Sequence, residues 1–356
     1  MKKKIFRFLI LMIAGLLGPL KFALAGPVTF QNDLAFYGDE EGFNGPYRPE
    51  ETLFGQQLKS SIEALTGEHT GFDAGVFMDH PSGWDDSVDF KPILSFDYFT
   101  PTTRMIFGTL ETRDRHGFLE PLEVKTLEIT RPVEYGLQWE EKDGWFQSDS
   151  FLDWQQLNTP GNPEIFDYGG TSQFPLTGGL DAELQFHGYH QGGKLFYVGV
   201  VNNYAFALGA RLHGDLGPLG PASLSAYGLL SGNLQGPFLQ VTDAEWGSGL
   251  YVRGSVSPWN IVELYGILWK GWNFFSWEGD ANYNSQGLDP GFYQSNRTYG
   301  EMGLRKVIAG QGDASLEAEA WASKIDSLWD FSGRLLARIS FGLEVPLKER
   351  GNSSGN

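Results

Sequence analysis

Leu335-Leu336-Ala337-Arg338-Ile339-Ser340-Phe341-Gly342-Leu343-Glu344-Val345-Pro346-Leu347 alternates almost without error. Its odd positions are apolar throughout, and its even positions are mostly polar, small or charged, with Arg338, Ser340, Gly342 and Glu344 among them. Successive side chains of a strand point to opposite faces, so this pattern describes a strand lying between two different solvents. The run is longer than an ordinary globular strand of roughly 5–6 residues and approaches the roughly 9–11 that a tilted strand needs to cross a bilayer.

Similar segments recur upstream from about Thr52. Phe72, Ala74, Val76 and Met78 oppose Asp73, Gly75, Phe77 and Asp79; Ala182, Leu184, Phe186 and Gly188 oppose Glu183, Gln185, His187 and Tyr189; Phe206, Leu208, Ala210 and Leu212 oppose Ala207, Gly209, Arg211 and His213. Helical periods are almost absent, and clusters of Gly, Asn, Asp and Pro separate the segments, so the chain reads as all-β. Beyond the N-terminus no segment is apolar for long enough to be a membrane helix, and the remaining way to satisfy a backbone inside lipid is a closed barrel. The expected fold is a transmembrane antiparallel β-barrel of about 14–16 strands. A soluble β-sandwich is the alternative, since it alternates with its polar face outward.

At the N-terminus Lys2, Lys3, Lys4 and Arg7 precede an apolar run from Phe8 to Leu20, and Ala23-Leu24-Ala25 offers a small-residue cleavage site. That is the layout of a secretory signal peptide. The expected boundaries are a removed signal at 1–25, a periplasmic extension or plug at 26–51, the barrel at 52–347 and a polar tail at 348–356. Gly192-Gly193, Asn202-Asn203 and Gly310-Gln311-Gly312 read as tight turns, and 155–179 and 273–297 as long loops.

Charge excludes one class of partner. The chain carries 26 basic residues against 44 acidic ones, and the signal would remove five of the basic residues and none of the acidic. So acidic a protein repels nucleic acid. With no cysteine, it has no disulfide framework and no thiol nucleophile. The 47 glycines and 15% aromatic residues suit curved strands and aromatic belts at a membrane surface.

With Leu335–Leu347, the recurrent alternation and the signal, the chain resembles the porins and related outer-membrane β-barrel proteins of Gram-negative bacteria as a class. The resemblance covers most of the chain and rests on pattern, without a family-specific motif. Such barrels usually end on an aromatic residue, whereas here Leu347 is followed by a polar tail. Either the insertion signal is internal, within Phe341–Leu347, or the chain is not a membrane barrel. The resemblance implies an outer-membrane location, contact with outer-membrane lipid and the option of a homotrimer.

The candidate site residues are charged and aromatic. Arg113 and Arg115 stand close together in an acidic chain, with Arg104 before them and Arg131 and Glu134 after. They read as a basic ladder at a pore constriction facing carboxylates such as Glu134 and Asp149. Arg211, Arg253, Arg305 and Arg338 fall on polar strand faces and extend the list. Trp269, Trp272 and Trp277, joined by Trp321, read as an interfacial girdle or as a platform for stacking sugar rings. Six histidines include no pair with convincing metal spacing. The barrel segments 52–347 contain no G-x-S-x-G elbow, and the sequence marks out no Ser/His pair. The expected function is therefore passive: a channel for small hydrophilic solutes or saccharides, without enzymatic activity, cofactor or metal. Export of a polysaccharide, a scaffold in an envelope complex and a secreted saccharide-binding sandwich are the alternatives.

Overall fold

The computed structural model describes residues 26–345 except 44, 46, 48, 49, 84–87, 197–198, 237–242, 288–291, 310–312 and 326. The expected signal peptide, the polar tail and the 310–312 turn lie outside the described residues.

Sixteen strands run in chain order: β1 Val28–Glu41, β2 Glu51–Leu65, β3 Thr70–Pro81, β4 Asp89–Phe99, β5 Thr103–Thr109, β6 Tyr135–Asp143, β7 Phe146–Gln156, β8 Glu164–Thr177, β9 Leu180–Gly192, β10 Val200–Asp215, β11 Pro221–Gly236, β12 Asp243–Val256, β13 Glu263–Trp272, β14 Asn296–Ala309, β15 Asp313–Ile325 and β16 Leu328–Val345. Each pairs antiparallel with its sequence neighbours, and β1 closes onto β16 from Val28↔Val345 to Glu41↔Ser332. The alternation of the last strand resolves as expected: Leu335, Ile339, Phe341 and Leu343 are exposed on the outer wall, while Arg334 and Leu336 are buried inside. Closure leaves no strand edge for lipid to meet, as a transmembrane barrel requires.

Three sequence expectations are corrected here. The segment 26–51, read as an extension or plug, supplies β1 of the wall. Its outward pattern of Phe30 and Phe36 is interrupted by Asn32, which the wall accommodates because Ser60 Oγ donates to Asn32 Oδ1 at 2.9 Å. Most of 155–179 is β8, whose outward Phe166, Tyr168 and Phe174 are separated by small residues that blur the period. Asn202-Asn203 lies inside β10, each side chain occupied: Asn202 Oδ1 with His190 Nδ1 at 2.7 Å, and Asn203 Nδ2 donating to Phe275 O at 3.1 Å.

The connections divide into two rims. Turns such as 66–69, 100–102 and 178–179 lie at one end, and connections 110–134 and 273–295 at the other. In outer-membrane barrels the short turns are periplasmic and the longer loops extracellular. Both long loops fold into the lumen and brace each other: Val124 N donates to Glu278 O at 2.7 Å, Asp280 N to Glu120 O at 2.9 Å, and Ser276 Oγ to Leu122 O at 3.1 Å. Leu122, Phe274 and Tyr283 are fully buried against inward Ile267, Trp269 and Tyr299. The inserted loops thus carry a hydrophobic core in the loop-side half of the barrel.

Candidate functional site

The first inserted loop begins with a left-handed turn. Asp114, Arg115 and His116 have φ of 53°, 46° and 58°, a run in which each non-glycine residue costs roughly 1–2 kcal/mol. Their partners hold the conformation. Arg115 is buried and ion-pairs with both Glu123 and Glu134. His116 Nδ1 donates to Asp149 Oδ2 at 2.8 Å and Nε2 to Glu134 Oε2 at 3.0 Å, its ring stacked 4.0 Å from Phe151. Burial alone would lower the imidazolium pKa, but the two carboxylates outweigh it and raise it to about 10. At neutral pH His116 is therefore a cation clamped at both nitrogens. Arg131, where the loop returns, bonds Asp167 Oδ2 at 2.8 Å and Glu278 Oε1 at 3.1 Å, joining both loops to the wall.

Below this plug, toward the short turns, lie two cavities of about 650 Å³ and about 600 Å³ that share Gly117, Gln173 and Arg211. Arg104 lines the first, paired with Asp97 at 2.9 Å. Arg211, Arg253 and Arg305 line the second as a ladder, paired with Glu183 at 3.1 Å, Glu263 at 3.1 Å and Glu317 at 2.8 Å respectively.

The expected constellation is thus divided. Arg115, Arg131 and Glu134 meet in the plug, Arg211, Arg253 and Arg305 meet in the lower cavity, and Arg338 is bound to Glu128 of the helical turn α1 (Leu127–Thr130). The Arg113 side chain lies outside what the structure describes. The tryptophans also separate. Trp272 faces outward, Trp269 is buried inside, Trp277 stacks on Tyr189 in the lumen at 4.9 Å, and Trp321 packs against the inner core. Trp269 and Trp272 are three apart on one strand, so they point to opposite faces.

The lower cavity also holds a set the sequence did not reveal. Inward Asp181 of β9 is buried, and its Oδ2 accepts from Gln173 Nε2 at 2.8 Å and lies 3.3 Å from His213 Nδ1. His213, on β10, is half-exposed, and its direct cross-strand partner on β11 is Ser223. Opposite residues of an antiparallel pair have Cβ atoms about 4.5–5.5 Å apart, within side-chain reach. Ser223 Oγ in turn lies 2.9 Å from Ser255 Oγ of β12. The turn Gly178-Gly179, between β8 and β9, continues the β9–β10 pairing as far as His213. Both glycines have positive φ (57° and 81°), and Gly179 O accepts from His213 N at 2.8 Å. A Cβ on Gly179 would sit 2.1 Å from His213 O. Among the described residues, His213 is the histidine with a carboxylate on one nitrogen and a hydroxyl residue directly across the sheet. A carboxylate that orients imidazole Nδ1–H frees Nε2 to take a proton from a serine, the arrangement of nucleophilic acyl transfer.

A family model described as lipid A 3'-O-deacylase-type matches residues 25–348. This is an enzymatic family, and it overturns the expectation of a chain without enzymatic activity. No curated protein matches the chain in sequence. Among solved structures, it is similar to a loop L8 deletion mutant of OmpT, an outer membrane protein of Vibrio cholerae, at 12% identity and TM-score 0.56, over 89% of this chain and 100% of that one. It is also similar to the trimer form of OmpT from the same organism (10%, TM-score 0.53, 89% and 100%) and to an anion-selective porin from Comamonas acidovorans (10%, TM-score 0.51, 88% and 99%). At such identities the likeness is one of fold: a porin-like outer-membrane barrel.

Proposed function

Because the chain belongs to the lipid A 3'-O-deacylase-type family, we propose that it is an outer-membrane acyl-ester hydrolase acting on an acylated saccharide lipid of the lipid A class. Ser223 is the nucleophile, His213 the general base and Asp181 the group that orients it. The observation that carries this reading is the 3.3 Å Asp181–His213 contact with Ser223 in register beside it. His213 Nε2 accepts the Ser223 proton as Oγ attacks the ester carbonyl. The tetrahedral intermediate expels the sugar alkoxide, which takes that proton from His213, and water then releases the fatty acid from the acyl-serine by the same path in reverse. Arg211 and Arg253 line the same cavity and supply positive potential toward the developing oxyanion. Ser223→Ala and His213→Ala are each expected to abolish fatty-acid release from such a lipid while the barrel still folds. Release retained in both would remove the assignment.

A second reading has its own support. The arginine ladder lines cavities beneath an ion-paired plug, and a displaced plug would leave a charged passage for small hydrophilic solutes. Conductance in a planar bilayer tests it, with an Arg305→Ala change in ion selectivity as the expected result.

A further inference from the structure

We propose that the barrel wall has a lateral portal between β4 and β7 in its loop-side half, sealed by the stretch Pro132–Tyr135, through which a lipid of the outer leaflet brings its polar head into the lumen. The inference rests on the hydrolase reading for the identity of that lipid and adds its route. β4 pairs with β3 from Asp89↔Asp79 to Tyr98↔Thr70, but among the described residues it pairs with β5 only from Ser95↔Gly108 to Phe99↔Arg104. Gly108 has a φ of 115°, with Leu94 O 2.1 Å from where a Cβ would sit, and there the chain bends out of the wall toward buried Leu110. It rejoins the wall at Tyr135. The β6–β7 ladder begins at Gly136↔Asp153, and Trp154 and Gln156 of β7 pair with β8 alone. Toward the loop rim two strands are therefore missing between β4 and β7, an interval of three strand spacings, about 14 Å.

Side chains dress the edge of β4 in place of a strand. Leu94 N donates to Thr109 Oγ1 at 2.9 Å, Tyr135 Oη donates to Pro92 O at 2.9 Å, and Pro92 has no N–H to leave bare. Buried Val133 packs on Phe77 and Ile93 at the same seam. The frame around it is apolar: Phe90, Leu94, Phe107, Leu137 and Trp154 are exposed on the outer wall. Immediately inside stand buried Glu134 and Asp153, with Arg131 4.0 Å from Asp153. An apolar frame around a charged interior fits an amphipathic molecule whose acyl chains stay in the bilayer while its head crosses the wall. A strand from a second copy would meet Pro92 at a position where the ladder needs a donor. The long-loop rim is the extracellular one, so the lipid comes from the outer leaflet. Asp149, which holds His116 in the plug, also lines the first cavity, and that cavity joins the one holding His213 and Ser223.

The test has a binding arm and a turnover arm, both on full-length protein in phosphatidylglycerol vesicles containing lipid A. In the first, Val133→benzoylphenylalanine is expected to form a lipid adduct on irradiation, several times more of it when Tyr135→Phe removes the bond to Pro92, whereas Ile267→benzoylphenylalanine, inward on an unbroken part of the wall, forms none. Equal labelling at the two positions overturns the inference. In the second, Phe90→Cys and Trp154→Cys, unique thiols in a chain without cysteine, are bridged across the seam by a cleavable bismaleimide. Bridging is expected to lower fatty-acid release from the vesicle lipid at least tenfold, to leave a water-soluble short-chain ester unchanged, and to be reversed when the linker is cut. Undiminished release from the bridged protein overturns the portal, as does equal loss of both substrates. Disulfide-linked dimers of the Phe90→Cys single variant would seat a second copy on β4 and overturn it too. Wild-type protein that cleaves neither ester refutes the hydrolase reading, while the Val133 adduct still decides the portal.

Discussion

Replacing His116 with Phe keeps the ring against Phe151 but removes both N–H donors from buried carboxylates. Asp149 would retain Gln138 and Glu134 would retain Arg115, so neither is left wholly bare. Raising an imidazolium from the ordinary 6.5 to about 10 corresponds to ~5 kcal/mol at ~1.36 kcal/mol per tenfold. That is an upper bound, and breaking a buried ion pair from one side costs about 3–5 kcal/mol. The lower figure already multiplies the undocked population of the loop by about a hundredfold. The left-handed Asp114–His116 turn adds to the effect, since release relaxes it. Hydrogen exchange at Val124, whose amide bonds Glu278 across the two loops, reads that population directly, and exchange about a hundredfold faster is expected. The pH dependence has a definite sign. A pKa raised on docking stabilises the docked loop fully below about 6.5, and that stabilisation is lost as pH rises through about 10. Subtilisin should therefore cut the 110–134 loop of the wild type much faster at pH 11 than at pH 8. Unchanged exchange in His116→Phe, together with pH-independent cleavage, would refute the clamp.

Arg131→Ala strips the cation from Asp167 and Glu278 and should free both inserted loops by about 3–5 kcal/mol, seen as proteolysis at both. Gly179→Ala forces a β-carbon into a positive-φ turn against the His213 carbonyl; it should cost at least ~1–2 kcal/mol and lower the temperature at which the barrel unfolds in detergent. Brominated lipids should quench Trp272 and spare Trp269, so Trp272→Phe reduces the quenching while Trp269→Phe does not.

Period-2 alternation carried the fold because each barrel strand separates lipid from an interior of different polarity, and Leu335–Leu347 shows that contrast at full strength. β1 and β8 were obscured where the outer face admits Asn32 or runs of glycine and threonine, which a neighbouring strand then satisfies or covers. The candidate site was largely hidden for a different reason. Alternation places Asp181 and His213 on polar faces, yet bringing them together with Ser223 and Ser255 requires the register across four strands, which pairs Leu180 with Leu212, His213 with Ser223 and Ser223 with Ser255 and which alternation alone does not give. The tryptophan cluster misled because proximity in sequence concealed the three-residue offset that sends Trp269 inward and Trp272 outward. Arg115 and Glu134 were legible as partners in charge, but their burial became visible only once the loop was seen to enter the lumen.

Fatty-acid release from an acylated saccharide lipid by the reconstituted protein, compared among wild type, Ser223→Ala and His213→Ala, tests the central claim most directly. The account expects steady release by the wild type and a loss of about a thousandfold or more in each variant, with all three barrels folded. Release that survives both substitutions would place the chemistry elsewhere in the barrel, and a wild type that releases nothing would contradict the account.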